Sequence, residues 1–537
     1  MKRVPAFLCL LLLVSMMLQS IQHSPVAASQ GTAGQQIVYL PIIFKNLGAE
    51  TTANDYVRPY TSLFQYGLNP GSYGNGWDDT KIYQLCYNAG CRTTRNTLPD
   101  SFIAQWGAGI RLSVFQNITS TMGFQEITTF LQTPRAEWRE TASFDGYQSK
   151  LWQGMYEPIW DNGENGTPVN DANRFALYVW TIVNTYGPYI RFYEIINEPD
   201  YTSSSYGWVS PGTAGSWWDN PPQPKDLPNL CAPVYQYIRL LRIAYAVVKR
   251  YDPDAYVTPG GLGYPSFLDA LLRYTDNPDQ GKVTAAYPLT GGAYFDALSF
   301  HLYPQYGARY WNGKQWVPDR HSDRAVQVLL DAKQGHEAVL EKHGYDGSSY
   351  PRKVFILTEI NVARKQIGET LGGIEVQRNF TIKALVKAQQ LDVSQLYWFA
   401  TGEGKSYDDP TAGPYELMGF YETLKRDAPW TQKITQQGIA NRTTFQELYG
   451  WRYDAPATHA LQLPSTVDGG VFRKGSDLRY VLWAKTTADR SEAASATFQM
   501  PGGGKYQVVA WDGTTQVISN GSVSLTGAPV FLTPVLP

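Results

Sequence analysis

Two glutamates draw attention because each ends an apolar run. In Tyr193-Glu194-Ile195-Ile196-Asn197-Glu198-Pro199-Asp200 the run closes on Asn-Glu-Pro. Asn197 can bond a ligand hydroxyl, and Pro199 fixes the chain as it leaves. In Val354-Phe355-Ile356-Leu357-Thr358-Glu359-Ile360-Asn361, four consecutive apolar residues read as a strand buried on both faces, with Glu359 emerging at its carboxyl end. Two carboxyls brought to one mouth can divide their labour. One stays protonated and donates to a departing oxygen, while the other is ionised and attacks carbon, which is what cleavage of a glycosidic bond needs. A separation of roughly 5 Å gives retention of configuration, and a wider one gives inversion. Placement carries this signal, since the tripeptide alone is weak, arising by chance in roughly one chain of this length in twenty.

The elements that would place them are legible as alternation. From about residue 55 the pattern strand, loop, amphipathic helix repeats, the mark of a parallel sheet with crossover helices. Eight candidate strands lie at 62–68, 92–96, 110–115, 190–196, 255–259, 296–302, 353–358 and 395–400. Apolar spacing of 3.6 residues predicts helices at 174–186, 234–251, 325–342 and 376–390. The expected fold is therefore α/β, a (β/α)8 barrel over 55–455, with Glu198 after strand four and Glu359 after strand seven on the face where barrels carry their sites. After residue 456 the pattern changes to short β-rich runs (479–484, 496–499, 506–511, 516–519, 522–525, 530–532) separated by Gly, Asp and Asn turns. They predict an accessory β-sandwich over 456–537.

The ends and the composition bound the rest. Lys2 and Arg3 precede an apolar run from Ala6 to Leu18, too short to span a bilayer, and Val26-Ala27-Ala28 offers small residues for cleavage. We expect a signal peptide at 1–28, a secreted protein, and a linker at 29–54 with a possible strand at 37–44. No later run predicts membrane insertion once the signal is removed. A net charge of -2 with interspersed signs gives no reason to expect nucleic acid as partner. The histidines are scattered and no metal-ligand spacing occurs, so no metal or organic cofactor is expected. Cys86, Cys91 and Cys231 would remain after cleavage; either Cys86 bridges Cys91 or the thiols stay free. Nothing in the chain sets an oligomeric state. Aromatic content is the outlying quantity, at 14% with 16 Trp and 37 Tyr, many in Gly/Pro-rich segments where exposed rings could stack on sugars.

The sequence resembles the clan A glycoside hydrolases over 62–421. Asn197-Glu198 matches that clan's acid/base motif after strand four, and Glu359 matches its nucleophile after strand seven. Phe300-His301-Leu302-Tyr303-Pro304 looks like the clan's His-x-Tyr segment, where the tyrosine holds the nucleophile and the histidine neighbours the acid/base. Trp398 resembles the ring that floors the cleavage subsite, and Arg95 the arginine that steadies the nucleophile. Asn69, in Gly67-Leu68-Asn69, fits more loosely. The accessory sandwich is similar to that of glycoside hydrolase family thirty-nine and its relatives. The segments after strands three and four are long and unlike any one family's. The resemblance implies a secreted retaining glycosidase acting on a poly- or oligosaccharide by double displacement. A transglycosylase or a non-catalytic carbohydrate-binding barrel would share the scaffold.

Each residue also has a plainer reading. Glu194 lies on the same strand face as Glu198 and reads as one half of a buried ion pair with an arginine. His301 alone would read as a core histidine, but Tyr303 two positions on shares its face. Arg95 is preferred to Arg92 because it is nearer the strand's carboxyl end, and Trp398 could be barrel packing. Trp152, Trp160, Trp208, Trp217, Trp218, Trp311 and Trp316 could be sugar platforms or could pack loops. Arg309, Lys314 and Lys405 would face an acidic sugar if the substrate carries one.

Overall fold

The computed structural model describes residues 55–426 and 431–535. The expected signal peptide and the linker with its strand at 37–44 lie outside the described residues. Eight parallel strands form one sheet: β1 Gln65–Leu68, β2 Thr93–Thr97, β3 Ile127–Leu131, β4 Ile190–Ile195, β5 Tyr256–Pro259, β6 Ala297–Leu302, β7 Val354–Ile360 and β8 Val393–Trp398. Their order is β5-β4-β3-β2-β1-β8-β7-β6. The two end strands meet through an irregular seam: Asp296 N donates to Val257 O at 2.8 Å, and past β5 Leu262 N donates to Ser299 O and His301 N to Leu262 O, both at 3.0 Å. The sheet thereby curls into a barrel.

Each strand leads to a helix: α1 Asp79–Asn88, α2 Asp100–Trp106, α3 Arg174–Tyr186, α4 Val234–Tyr251, α5 Pro265–Leu271, α6 Ser322–Lys342, α7 Ile374–Gln390 and α8 Gln436–Leu448. The alternation is the physical consequence of parallel pairing, which needs a crossover, and of helices whose apolar stripe covers the sheet. In α4 that stripe is wide, with Tyr237, Ile238, Leu240, Leu241, Ala244 and Val248 all buried. Among the described residues, no helix is long and apolar enough to cross a membrane.

One expected strand is wrong. Residues 110–115 are not a strand; a short helix, Leu112–Gln116, lies there, and the third strand is Ile127–Leu131. Ile127-Thr128-Thr129-Phe130-Leu131 does not read as an apolar run because the barrel interior is polar at this level. Thr128 points inward and its hydroxyl lies 2.8 Å from that of Tyr397. The order of the later strands is unaffected, so Glu198 still follows β4 and Glu359 lies on β7.

The barrel interior is layered. Its floor is apolar, with Phe192, Tyr256, Ala297 and Ile356 clustered and the rings of Phe192 and Tyr256 stacked at 4.7 Å. Above them come buried polar side chains, Thr93, Thr128, Gln395 and Tyr397, bonded to one another. Arg95, Glu194, Ser299 and Thr358 form the next layer, directly beneath the mouth.

Past the barrel, β9 Arg452–Tyr453, β10 Val467–Lys474, β11 Asp477–Ala484, β12 Ser495–Gln499, β13 Tyr506–Val509, β14 Thr515–Ile518, β15 Ser522–Thr526 and β16 Val530–Pro534 are antiparallel. Six form a sheet in the order β9-β10-β11-β16-β13-β14, and β12 pairs with β15. Val471, Leu482, Val508 and Leu532 of the sheet share one apolar cluster with Phe498, Val523 and Leu525 of the pair. β10 escapes a sequence reading because Asp468-Gly469-Gly470 looks like a turn. Cys86, Cys91 and Cys231 are buried and free, so the local bridge does not form. The Cys86 thiol instead lies 3.3 Å from the Thr401 hydroxyl, and burial pushes its pKa up to about 12.

Candidate active site

The site is organised by one buried cation. Arg95, on β2, is bidentate to Glu194, with Nε donating to Oε2 at 2.7 Å and Nη2 to Oε1 at 3.2 Å. The same guanidinium donates through Nη1 to Glu359 Oε1 at 2.6 Å and through Nη2 to Asn197 Oδ1, also at 2.6 Å. Glu194 is fully buried and is completed by the Ser299 hydroxyl at 3.0 Å, so it is the structural counter-charge that its strand position implies. Burial acts against the arginine's charge, but Glu194 and Glu359 outweigh it and raise its pKa. Replacing Arg95 with Met is expected to destabilise the fold by about 3–5 kcal/mol, because two buried carboxylates lose their partner. Urea unfolding measures this; a midpoint within experimental scatter of the parent would refute it.

Glu359 is held as an anion. Tyr303, just past β6, donates its hydroxyl to Oε2 at 2.5 Å while Arg95 occupies Oε1. Burial would raise the Glu359 pKa, but the positive charges of His301 and Arg95 and the Tyr303 hydrogen bond win, leaving it below the usual range.

Glu198 stands where the chain breaks out of β4. Ile196 and Glu198 both adopt positive φ, 58° and 46°. Such conformations are costly for branched and charged residues and persist when their surroundings hold them. Here Asn229 Nδ2 donates to the carbonyls of Asn197 and Glu198 at 3.2 and 2.9 Å. His301, on β6, places Nδ1 2.9 Å from Glu198 Oε1 and Nε2 3.8 Å from Glu359 Oε1. Burial disfavours its cation, yet Glu359 and Glu198 raise its pKa on balance. The ring fits because Gly261 has no side chain; a Cβ there would lie 2.1 Å from His301 Nε2. Glu198, His301 and Glu359 each present an atom, and these atoms all lie within 4.8 Å of one another. Both oxygens of Glu359 already accept bonds, from Arg95 and from Tyr303.

The structure thus brings together Glu198, Glu359, Asn197, Arg95, His301 and Tyr303. Asn69 joins them differently: its amide donates to the carbonyls of Thr358 at 3.0 Å and Trp398 at 3.2 Å, and Arg95 Nη1 reaches its Oδ1 at 3.4 Å. It ties β1 to β7 and β8 and steadies Arg95.

Trp398 is a correction. It is fully buried on the outer face of β8, with Nε1 donating to Asn441 on α8 at 3.1 Å and its ring edge-on to Phe380 of α7. It cannot floor a subsite. Tyr397 points into the barrel, so alternation turns Trp398 outward, and the ring that meets the site is Phe399, 6.1 Å from Tyr303 and edge-on.

Sequence reasoning missed three further neighbours. Tyr415 packs edge-on against Tyr303 at 4.8 Å from a long loop after β8 that has no periodicity to mark it. Phe399 was hidden behind Trp398. Asp200, two residues past Glu198, is buried and accepts the amides of Gly263 and Tyr264 at 2.8 Å each. Burial raises its pKa to about 7; those amides oppose the shift and Glu198 adds to it.

The tryptophans divide. Trp152 and Trp217 are fully buried, the first stacked on Tyr178 at 4.6 Å, and they pack loops. Trp160 is half-buried under Arg250. Trp208, Trp218, Trp311 and Trp316 are exposed. Lys405 is tied to Glu416 at 3.1 Å, and the Arg309 guanidinium lies 5.1 Å over the Trp316 ring.

No family model matches the chain, and no curated protein matches it in sequence. Solved structures with a similar course include a GH30 endoxylanase from Clostridium papyrosolvens, 13% identical, with 88% of this chain and 97% of that chain covered and a TM-score of 0.47. The catalytic domain of GH30 xylanase C from Talaromyces cellulolyticus is 14% identical, covering 89% and 99%, with a TM-score of 0.48. An alpha-L-arabinofuranosidase from Thermotoga maritima is 11% identical, covering 90% and 97%, with a TM-score of 0.47.

Proposed function

We propose that the chain is a secreted retaining glycoside hydrolase of clan A, acting on a poly- or oligosaccharide, with Glu359 as nucleophile and Glu198 as general acid/base. The observation that carries this reading is the pairing of Glu198 with an ionised Glu359, one oxygen of each lying within 4.8 Å of the other. So close an approach suits direct attack by one carboxylate better than the wider spacing typical of inversion. The domain plan that goes with it is a signal peptide at 1–28, a linker at 29–54, a catalytic barrel at 55–455 and an accessory β-sandwich at 456–537, whose two sheets would share the apolar cluster described above.

In this mechanism Glu359 attacks the anomeric carbon as the glycosidic C–O bond breaks, and Glu198 delivers its proton to the departing oxygen. Glu198, now a carboxylate, takes a proton from water, whose oxygen displaces Glu359 and restores both groups. Asn197, oriented by Arg95, bonds the sugar's 2-hydroxyl as positive charge develops on the ring. Proton NMR of aryl glycoside hydrolysis tests the reading. The first-formed sugar should keep the anomeric configuration of the substrate, and an inverted product would overturn it.

Tyr303→Phe gives a pH-resolved check. Activity needs Glu359 ionised, so it falls as pH drops through that group's depressed pKa. Without the Tyr303 hydrogen bond the pKa rises, so the acid limb of kcat/KM should move to higher pH, with kcat lowered about 10- to 100-fold. An unmoved acid limb would mean that Tyr303 does not hold the nucleophile's charge.

A further inference from the structure

Beyond Tyr303 the chain makes a turn at Pro304–Tyr306 and then a two-stranded hairpin, Arg309–Trp311 paired with Trp316–Pro318. Trp311 lies directly opposite Trp316 in the register, with ring centroids 5.8 Å apart. Trp311 and Trp316 are nonetheless 54% and 57% exposed. Large rings grouped on a projecting ribbon are unfavourable to leave wet, and such groups mark binding surfaces.

The ribbon's base is held firmly. Asp319 N donates to Ala308 O at 2.9 Å, and Arg324 Nη2 donates to the carbonyls of Gly307 and Arg309 at 3.1 and 2.8 Å. Arg320, at its C-terminal end, is clamped by Asp489 from the segment between β11 and β12, with N donating to Oδ1 at 2.8 Å and Nη2 to Oδ2 at 2.7 Å, and by Glu369 at 2.6 Å. The rings are exposed but pre-positioned.

The ribbon also continues the catalytic site. Tyr303 touches Glu359, Tyr415 packs on Tyr303, and the Tyr306 hydroxyl lies 2.9 Å from that of Tyr415, all on or against the β6–α6 loop that carries the hairpin. A line of rings therefore runs from the nucleophile to Tyr306, in the turn that leads into the hairpin.

We propose that Trp311 and Trp316, which share one face of the hairpin, form a distal subsite for a polysaccharide chain, gripping sugars that lie beyond the bond being cut. This rests on the glycosidase reading above. Rings of this size bury the C–H faces of pyranoses while the hydroxyl edges stay in water, and they do so at small entropic cost because the hairpin is anchored.

The test compares the parent with the double variant Trp311→Ala/Trp316→Ala, by affinity electrophoresis in gels containing arabinoxylan, mixed-linkage glucan or glucomannan, and by hydrolysis of the same polymers and of an aryl monoglycoside. The parent should be retarded by at least one polymer. The double variant should lose about tenfold or more in polymer affinity and polymer kcat/KM while keeping aryl glycoside hydrolysis. Asp489→Ala should give a smaller loss of the same pattern. Retardation unchanged in the double variant, no retardation of the parent, or an equal loss on the aryl glycoside would each overturn the subsite. A parent that cleaves nothing yet is retarded, with the retardation lost in the variant, would support the subsite and sink the glycosidase reading.

Discussion

Replacing Glu359 with alanine is expected to lower kcat by about 10⁴-fold or more, since the step that forms the glycosyl-enzyme loses its attacking atom. The fold should survive, because the smaller side chain leaves room at the mouth of the barrel, and Arg95 keeps its bidentate bond to Glu194. Azide can enter the vacated space and attack the anomeric carbon in one displacement. Activity on an aryl glycoside with a good leaving group should then return, and the product should be the glycosyl azide of inverted configuration. A residual activity near that of the parent, or a recovered azide of retained configuration, would remove Glu359 from the nucleophile's role.

The complementary variant, Glu198→Ala, is expected to separate substrates by leaving group. With a poor leaving group, which needs the proton, kcat should drop by about 10²- to 10⁴-fold. A dinitrophenyl leaving group departs unaided, so the first step should hold while the second, now without its base, becomes limiting. Stopped-flow measurement should show a burst of phenolate followed by slow turnover. Azide should speed turnover and give a glycosyl azide of retained configuration, because it attacks the covalent intermediate from the face that Glu198 serves. Equal losses on both leaving groups, without azide acceleration, would assign Glu198 another task.

These two residues were legible in the sequence because their signal is topological. An apolar run that ends in a carboxylate places that carboxylate at a strand's carboxyl end, whatever the details of the barrel. Arg95 and Tyr303 were legible through the resemblance to the clan A pattern, one on β2 and the other just past β6. What failed was the assignment of faces. A barrel strand is buried on both sides, so hydrophobicity does not tell inward from outward. Trp398 and Phe399 are both aromatic, and only Tyr397 bonding across the interior shows which one meets the site. The third strand failed because its inward Thr128 bonds other polar groups and, with Thr129 beside it, leaves no apolar pattern to read. Tyr415 and Asp200 act from loops, where position is set by tertiary contacts and no period records it. Counting tryptophans could not separate Trp217, which packs, from Trp311, which is exposed.

The placement of His301 between the two glutamates bears on how charge travels during the proposed reaction. Before attack the Arg95 cation faces the ionised Glu359 and is paired with Glu194, while the proposed mechanism has Glu198 still carrying the proton it will give. When Glu359 becomes an ester and Glu198 gives up its proton, the total is unchanged. One negative charge has moved between carboxyls that each bring an oxygen within 4.8 Å of the other, past an imidazole 3.8 Å from the first and 2.9 Å from the second. Charge created in a poorly solvated interior is expensive, whereas charge displaced along a fixed counter-ion is not. The imidazole thus makes the first half-reaction electrically silent to everything outside the site, and hydrolysis of the intermediate runs the same displacement backwards.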